Sequence, residues 1–414
     1  MQRYSFLALA RHAVNGQREW PRAIRAAEPK PAYDAVIIGG GGHGLATAYF
    51  LAKVHGMRRI AVLEKNAIGH GNSGRNTQVT RSDYFYLSSS KFFERSLRLY
   101  EDLGRELNYN IMLSQRGKIT LAHSPHELEF QRRTVNAIRM NGVDAEMLTP
   151  AELRRIEPML DIDCRYPVMG GAAQWRGGIS RHDAVVWAFA RAASGLGVDI
   201  VQGCEVTGFR IERGHVKGVE TTRGPITAAK VCLAVAGHSS VLAAKAGVRL
   251  PITSLALQAM VTEPVKPLLN TVMMSAAIHV YVSQSDRGEV VIGGGADVHA
   301  SYAQRGGLPN FEANAQSAVE LFPCLSRLRV MRQWAGIVDI SPDTSPIMGV
   351  TPVAGLYVSA GWGTGGYKAI PAAGETMAWT IANGRAHELI ADFGLDRFAT
   401  GALVDEGAAS GVAH

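Results

Sequence analysis

Short apolar runs that end in small residues set the rhythm of this chain. Ala35-Val36-Ile37-Ile38 leads into Gly39, Val231-Cys232-Leu233-Ala234-Val235 into Ala236-Gly237, and Leu356-Tyr357-Val358-Ser359 into Ala360-Gly361. Apolar runs of this length without alternation read as parallel strands buried on both faces. Between them the texture changes. Residues 88–141 read mostly as helices, whereas Leu257–Val261, His279–Gln284 and Glu289–Gly294 alternate or run β-branched, as antiparallel strands do. The pattern predicts an α/β domain interrupted twice by pieces of a second, α+β domain with a mixed or antiparallel sheet. Residues 33–95, 180–245 and 335–400 are assigned to the first and 96–179 with 246–334 to the second. An N-terminal arm at 1–32 and a C-terminal tail at 401–414 flank them.

Composition narrows the class. A length of 414 residues exceeds what one compact core usually holds, so two domains sharing a cleft are expected. Apolar residues at 47% against 19% charged exclude a disordered chain, and no apolar run is long enough to span a bilayer. The arm has an apolar stretch only at Phe6–Ala10, then Arg11, His12, Arg18, Arg22 and Arg25, with no small-residue cleavage pattern, so no secretory signal is expected. With Trp20 it reads either as an arm that packs on a partner subunit or as a frayed terminus. The four cysteines are far apart and lack neighbouring histidines, which argues against zinc and against a disulfide framework and fits a cytoplasmic protein. The net charge of +7 comes without a basic run or an aromatic-interleaved patch, so a solvated surface that also favours anionic ligands is expected rather than nucleic acid.

Candidate chemistry begins at the first run. Asp34–Ile38 enters Gly39-Gly40-Gly41-Gly42-His43-Gly44, followed by a helical stretch to Lys53 with Leu45, Ala48, Tyr49 and Ala52 on one face. This is G-x-G-x-x-G in a strand–turn–helix setting. Gly39 permits the turn, Gly41 admits a pyrophosphate to the backbone, Gly44 lets helix and strand pack closely, and Gly42 and His43 open the helix whose N-terminus favours phosphate. A second strand, Ile60–Leu63, ends at Glu64, twenty residues past Gly44, where an acid binds the ribose hydroxyls of an adenosine and disfavours a 2′-phosphate.

Beyond Glu64 lies Ile68-Gly69-His70-Gly71-Asn72-Ser73-Gly74-Arg75-Asn76-Thr77, a run for which nicotinamide enzymes have no need. It resembles the loop of the D-amino-acid oxidase and glycine oxidase superfamily. There it wraps the ribityl chain and flavin ring of FAD, which makes Asn72, Ser73, Arg75 and Thr77 contacts. Ser341–Gly349 followed by Gly361-Trp362-Gly363-Thr364-Gly365-Gly366-Tyr367-Lys368 resembles the C-terminal flavin segment of the same superfamily, with Gly363, Thr364 and Gly365 at a helix N-terminus suited to the charge of a reduced flavin. Val206 stands where the superfamily contacts adenine. The resemblance implies a Rossmann-like, glutathione-reductase-type domain holding non-covalent FAD.

Further stretches are more specific: Arg75-Asn76-Thr77 with Arg81, Ser114-Gln115-Arg116-Gly117, Arg165–Gly170, His182-Asp183, Thr221–Gly224, His279–Gln284 and Gly336–Asp339. From about Pro31 to the end the chain resembles the beta-subunit family of heterotetrameric sarcosine oxidases. That resemblance implies a cytoplasmic assembly with alpha, gamma and delta subunits. Sarcosine would be oxidised at FAD to glycine plus formaldehyde or 5,10-methylenetetrahydrofolate. Electrons would pass to a covalent FMN shared with the alpha subunit and then to O2, giving H2O2. By motif the FMN attaches at His182, with Arg181 beside it. Read from its spacing alone, His182 is an ordinary residue at a helix start.

A carboxylate-bearing secondary amine needs fixed cations and an apolar enclosure. Arg81 and Lys368, which flank flavin-loop motifs, are the candidates for the first, Lys368 also for the reaction with oxygen. His279 and Tyr281, two residues apart on an expected strand, share a face that roofs the flavin or simply packs as a core pair. Two other readings stand beside this one: a dimethylglycine- or D-amino-acid-type dehydrogenase, from which the His182 motif separates it, and a non-catalytic flavin-fold assembly subunit, against which Glu64, Arg81 and Lys368 speak.

Overall fold

The structure, a computed structural model, describes residues 5–16, 18 and 22–404. The three apolar runs become neighbours in one six-stranded sheet. Its order is Ile347–Val350, Leu356–Ala360, Val231–Leu233, Ala35–Ile38, Ile60–Glu64 and Asp199–Gln202. All pairs are parallel except the first, an antiparallel edge. Side chains alternate across this sheet as the pleat requires. Ile37 and Val62 join Leu45, Tyr49, Phe92, Phe189, Ile370 and Met377 from the helices Gly42–Lys53, Leu87–Glu106, His182–Gly195 and Gly366–Asn383. Val36, Ile38 and Leu63 point the other way, against Val216, Val219 and Ile226 of a small four-stranded sheet.

An eight-stranded sheet follows the order Val330–Ile340, Thr253–Pro264, Glu289–Ala300, Val280–Gln284, Val272–Ser275, Lys118–Ala122, Gly170–Gln174 and Glu146–Leu148. It is antiparallel apart from the Val272–Ser275/Lys118–Ala122 pair. One face buries Ile119, Leu121, Met273, Val280, Val282 and Ile292 in a core of its own. The opposite face carries a cross-strand row in which Tyr281 pairs with Met274, Met274 with Thr120, and Thr120 with Ala172. That row is one wall of a large cavity.

Some elements differ from expectation. Val330–Ile340 pairs along its whole length with Thr253–Pro264, so this sheet reaches residue 340, and Leu87–Glu106 is one unbroken helix across residue 95. His279 is not on a strand: it ends the turn Ala276–His279 with φ +48°, and the strand begins at Val280. The left-handed backbone of His279 closes the four-residue loop that joins the antiparallel strands Val272–Ser275 and Val280–Gln284. Near the N-terminus, Trp20 lies outside the described residues. The segment after it is fastened to this chain's own sheet: Asp199, which is buried, accepts from Arg25 and Lys30 at 2.6 Å each and from Tyr33 Oη at 3.2 Å. Among the described residues no helix is long and apolar enough to cross a membrane, and all four cysteines are free.

Candidate flavin and amine site

A single cavity of about 610 Å³ runs from the fingerprint turn to the face of the eight-stranded sheet. At one end the glycines behave as their spacing requires. Gly39 adopts φ +111° with Ala234 O where a side chain would stand, and a Cβ on Gly44 would collide with Gly39 O. Gly41 precedes the helix without a capping side chain, and a Cβ there would meet only Ser73 Oγ, at 3.0 Å. Glu64 ends its strand with Oε2 accepting from Gly40 N at 2.8 Å and Oε1 from Asn66 N at 2.9 Å, which pins its carboxylate beside the turn. Val206, at the start of its strand, lines the same end.

The loop after Glu64 is held by its own side chains. Asn72 Oδ1 accepts from Ile337 N at 2.8 Å and Nδ2 donates to Ile337 O, Ser73 Oγ accepts from Gly42 N at 2.9 Å, and Trp334 Nε1 donates to Arg75 O at 2.7 Å. These bonds fasten it between the fingerprint helix and the eight-stranded sheet, with Asn72, Ser73, Arg75 and Thr77 all lining the cavity. From the far side comes the turn Gly361–Gly366. Buried Asp339 accepts from Gly361 N at 2.6 Å, and burial pushes its carboxyl up to about 7. His43 Nε2 donates to Gly366 O at 2.7 Å and its ring packs on Trp362, with centroids 4.5 Å apart. Burial, opposed by the Gly366 bond, lowers its pKa to about 4, and the remaining nitrogen, Nδ1, is buried without a partner among the described residues.

Under the sheet lies a cluster of buried charge. Arg81 (4% exposed) donates to Asp83 Oδ1 at 2.6 Å and stacks over Tyr84, and Lys118 (3% exposed) donates to Asp83 Oδ2 at 2.6 Å and to Thr120 Oγ1. Burial works against the Asp83 anion, yet Arg81 and Lys118 hold its carboxyl well below the usual range. Lys368, also buried, donates to Thr364 O at 2.9 Å. Its desolvation, with Arg81 and Lys118 nearby and only Asp83 opposing, lowers its pKa well below that of an ordinary lysine. Tyr281, which lies across Gly293, is pushed up to about 12 by burial, with Thr77 as a hydrogen-bond partner.

The cavity thus gathers Gly39, Gly41, Gly42, His43, Glu64, Asn72, Ser73, Arg75, Thr77, Arg81, Val206, His279, Tyr281, Gly363, Thr364 and Lys368 from across the sequence. Gly44 and Gly365 are packing positions behind it. Arg181 and His182 stand apart from it: Arg181 pairs in bidentate fashion with Asp183, and His182 opens the helix His182–Gly195 with its Nδ1 buried and unpartnered among the described residues. Sequence reasoning missed Lys118, Asp83 and Asp339. For Asp339 the available signal was an acid inside the apolar run Ile337–Ile340, whereas Lys118 and Asp83 carried none that marks burial.

Residues 34–379 match the family model described as FAD dependent oxidoreductase. The chain belongs to the FAD dependent oxidoreductase family. The sarcosine oxidase subunit beta of Rhodobacter capsulatus is 50% identical to this oxidoreductase over the whole of both chains, and that of an Arthrobacter species is 54% identical over 94% of this chain and 96% of its own. Among solved structures, the L-proline dehydrogenase of P. horikoshii superposes with a TM-score of 0.86 at 27% identity, covering 91% of this chain and 100% of the other. The residues present suit the family's cofactor: an uncapped helix start behind a glycine open to close approach, an acid at the ribose position, and an unpartnered ring nitrogen at His43. In this FAD dependent oxidoreductase, Glu64, Gly39–Gly42 and Val206 would hold the adenosine diphosphate half, and the 72–77 loop with the 361–366 turn the flavin half.

Proposed function

We propose that this chain is the amine-oxidising FAD subunit of a sarcosine oxidase. The observation that carries the reading is the buried cation cluster Arg81–Lys118–Lys368, in the same cavity as the dinucleotide fingerprint and beside Tyr281 and Trp362. FAD, when bound, supplies a two-electron acceptor for the N-methyl group. The chain does the rest. Arg81 and Lys368 bind the carboxylate, since a buried cation pays no further desolvation when an anion arrives and its charge is then strengthened by the low dielectric. Tyr281, its phenol kept neutral, and His279 close the amine side, and Trp362 excludes water. The amine reacts in its neutral form, whose lone pair the apolar enclosure favours over the ammonium. Loss of two electrons and two protons yields an imine, which water splits into glycine and formaldehyde; in the presence of tetrahydrofolate the one-carbon unit is captured instead.

FMN attached to His182 supplies the site of oxygen reduction in this reading. It is supported by the separation of His182 from the FAD cavity, by an Nδ1 without a partner among the described residues, and by a short link between the two places: Tyr367, which lines the cavity beside Lys368, bonds both Ser180 Oγ (2.7 Å) and Ser180 O (2.8 Å), two residues before His182. Alpha, gamma and delta partners and a cytoplasmic site belong to the same proposal.

Anaerobic mixing of the flavin-loaded enzyme with sarcosine tests it. Flavin bleaching should saturate with sarcosine, and Arg81→Met or Lys368→Met should weaken binding roughly tenfold to a hundredfold, the loss of one charge-assisted bond, while flavin content stays the same. Wild-type dissociation constants and reduction rates in both variants would remove these residues from the site.

A further inference from the structure

The charge in the amine site exceeds what a monocarboxylate needs. Three cations, Arg81, Lys118 and Lys368, act on one another, and among the described residues the carboxylate that acts on all three is Asp83. Burial is the first cause that holds both lysines below their ordinary pKa, and Asp83 opposes it at each; by count the cluster sets three positive charges against the one negative charge of Asp83. Sarcosine with its amine neutral contributes one.

Lys118 is also placed to meet a ligand of its own. It shares a sheet face with Thr120, two residues on, and both line the cavity. Its ammonium has three donors, of which Asp83 Oδ2 and Thr120 Oγ1 take two. Thr120 accepts from Lys118, which leaves its own hydroxyl proton to donate. Beyond Thr120 the cavity does not end: it continues past Ala172 to Gln131 and Thr134, on the inner face of the helix Pro125–Met140. A substituent on the amine nitrogen or the α-carbon therefore has room as well as a cation and a hydroxyl donor.

We propose that Lys118 and Thr120 form a second carboxylate subsite, and that the enzyme accepts N-substituted amino acids carrying two carboxylates. The inference rests on the reading of this cavity as the amine site. One carboxylate is held by Arg81 and Lys368, the other by Lys118 and Thr120, and Asp83 keeps Arg81 and Lys118 oriented between them.

Two unreactive thioethers differ by the one group in question: (methylthio)acetate, shaped like sarcosine, and thiodiacetate, which adds a second carboxylate. Their dissociation constants for the flavin-loaded enzyme are read from the change in flavin absorbance and checked by equilibrium dialysis, neither of which requires turnover. Thiodiacetate should bind at least tenfold more tightly than (methylthio)acetate to the wild type, and Lys118→Met should abolish that preference. The double variant Asp83→Asn/Lys118→Met, which removes the buried pair together and leaves no unbalanced anion, should lose it too. A preference that survives in both variants, or a wild type that favours the monocarboxylate, overturns the second subsite alone. If neither thioether perturbs the flavin or is retained on dialysis, the cavity is not the amine site, and the inference falls with that reading.

Discussion

Glu64 shows how much one side chain is asked to do. Its two oxygens already accept from Gly40 N and Asn66 N, and each retains a lone pair for a ribose hydroxyl. Glu64→Gln turns one acceptor into a donor and removes the charge. The expected loss is about 1.5–3 kcal/mol of FAD affinity, the range for hydrogen bonds to charged groups. Flavin fluorescence released on dialysis measures it; a variant that keeps its FAD as the wild type does would remove Glu64 from the ribose site. Lys118 makes the complementary point: nothing in a one-dimensional pattern distinguishes a strand-heading lysine at the surface from one buried against Asp83, because the difference lies in which strands flank it.

Elements bring these residues together through unusually close packing. The helices Gly42–Lys53 and Gly366–Asn383 meet at Gly374, where a Cβ would lie 2.8 Å from the carbonyl carbon of Ala46. Gly374→Ala should therefore overpack the interface by about 1–3 kcal/mol, lowering the melting temperature and loosening both cofactor-facing helix starts. Equal melting curves for variant and wild type would show that the interface yields without cost. His43 joins the same helix pair and adds a pH dependence. Its folded pKa of about 4 lies below the ordinary 6.5, so between those values the unfolded chain binds a proton that the folded chain does not. Stability from this group is present above pH 6.5 and is lost as pH falls toward 4, by about 3 kcal/mol over the window. His43→Asn should flatten the fall in melting temperature between pH 6.5 and 4; an identical slope in both proteins would count against the assignment.

For the molecule as a whole, the placement of His182 outside the FAD cavity allows the proposed second flavin to be tested apart from FAD by mutation. His182→Ala removes the nucleophile that the proposal assigns to a covalent bond with FMN, while leaving the fingerprint, Glu64, Arg81 and Lys368 in place. Expected are normal FAD content, flavin reduction by sarcosine, and loss of turnover with oxygen. In the wild type co-expressed with its partner subunits, a peptide containing His182 should carry the mass of FMN. An unmodified peptide from that assembly would remove the second flavin from the proposal.

What the sequence determined by itself is local in origin. The parallel strands at 35–38, 231–233 and 356–360 were legible because a strand buried on both faces must be continuously apolar, and the cofactor end because its glycines and Glu64 act within one strand–turn–helix unit and its next strand. The roles of Arg81 and Lys368 came from resemblance to a family, and spacing alone gave them no chemistry. Tertiary structure decided the rest. That Asp83 bridges Arg81 and Lys118, that His279 belongs to a turn, and that Asp339 secures the Gly361 turn all depend on contacts between segments far apart in the chain. The physical reason is burial: only when those segments close over the cavity does water leave, and only then do three ordinary cations become a site short of negative charge.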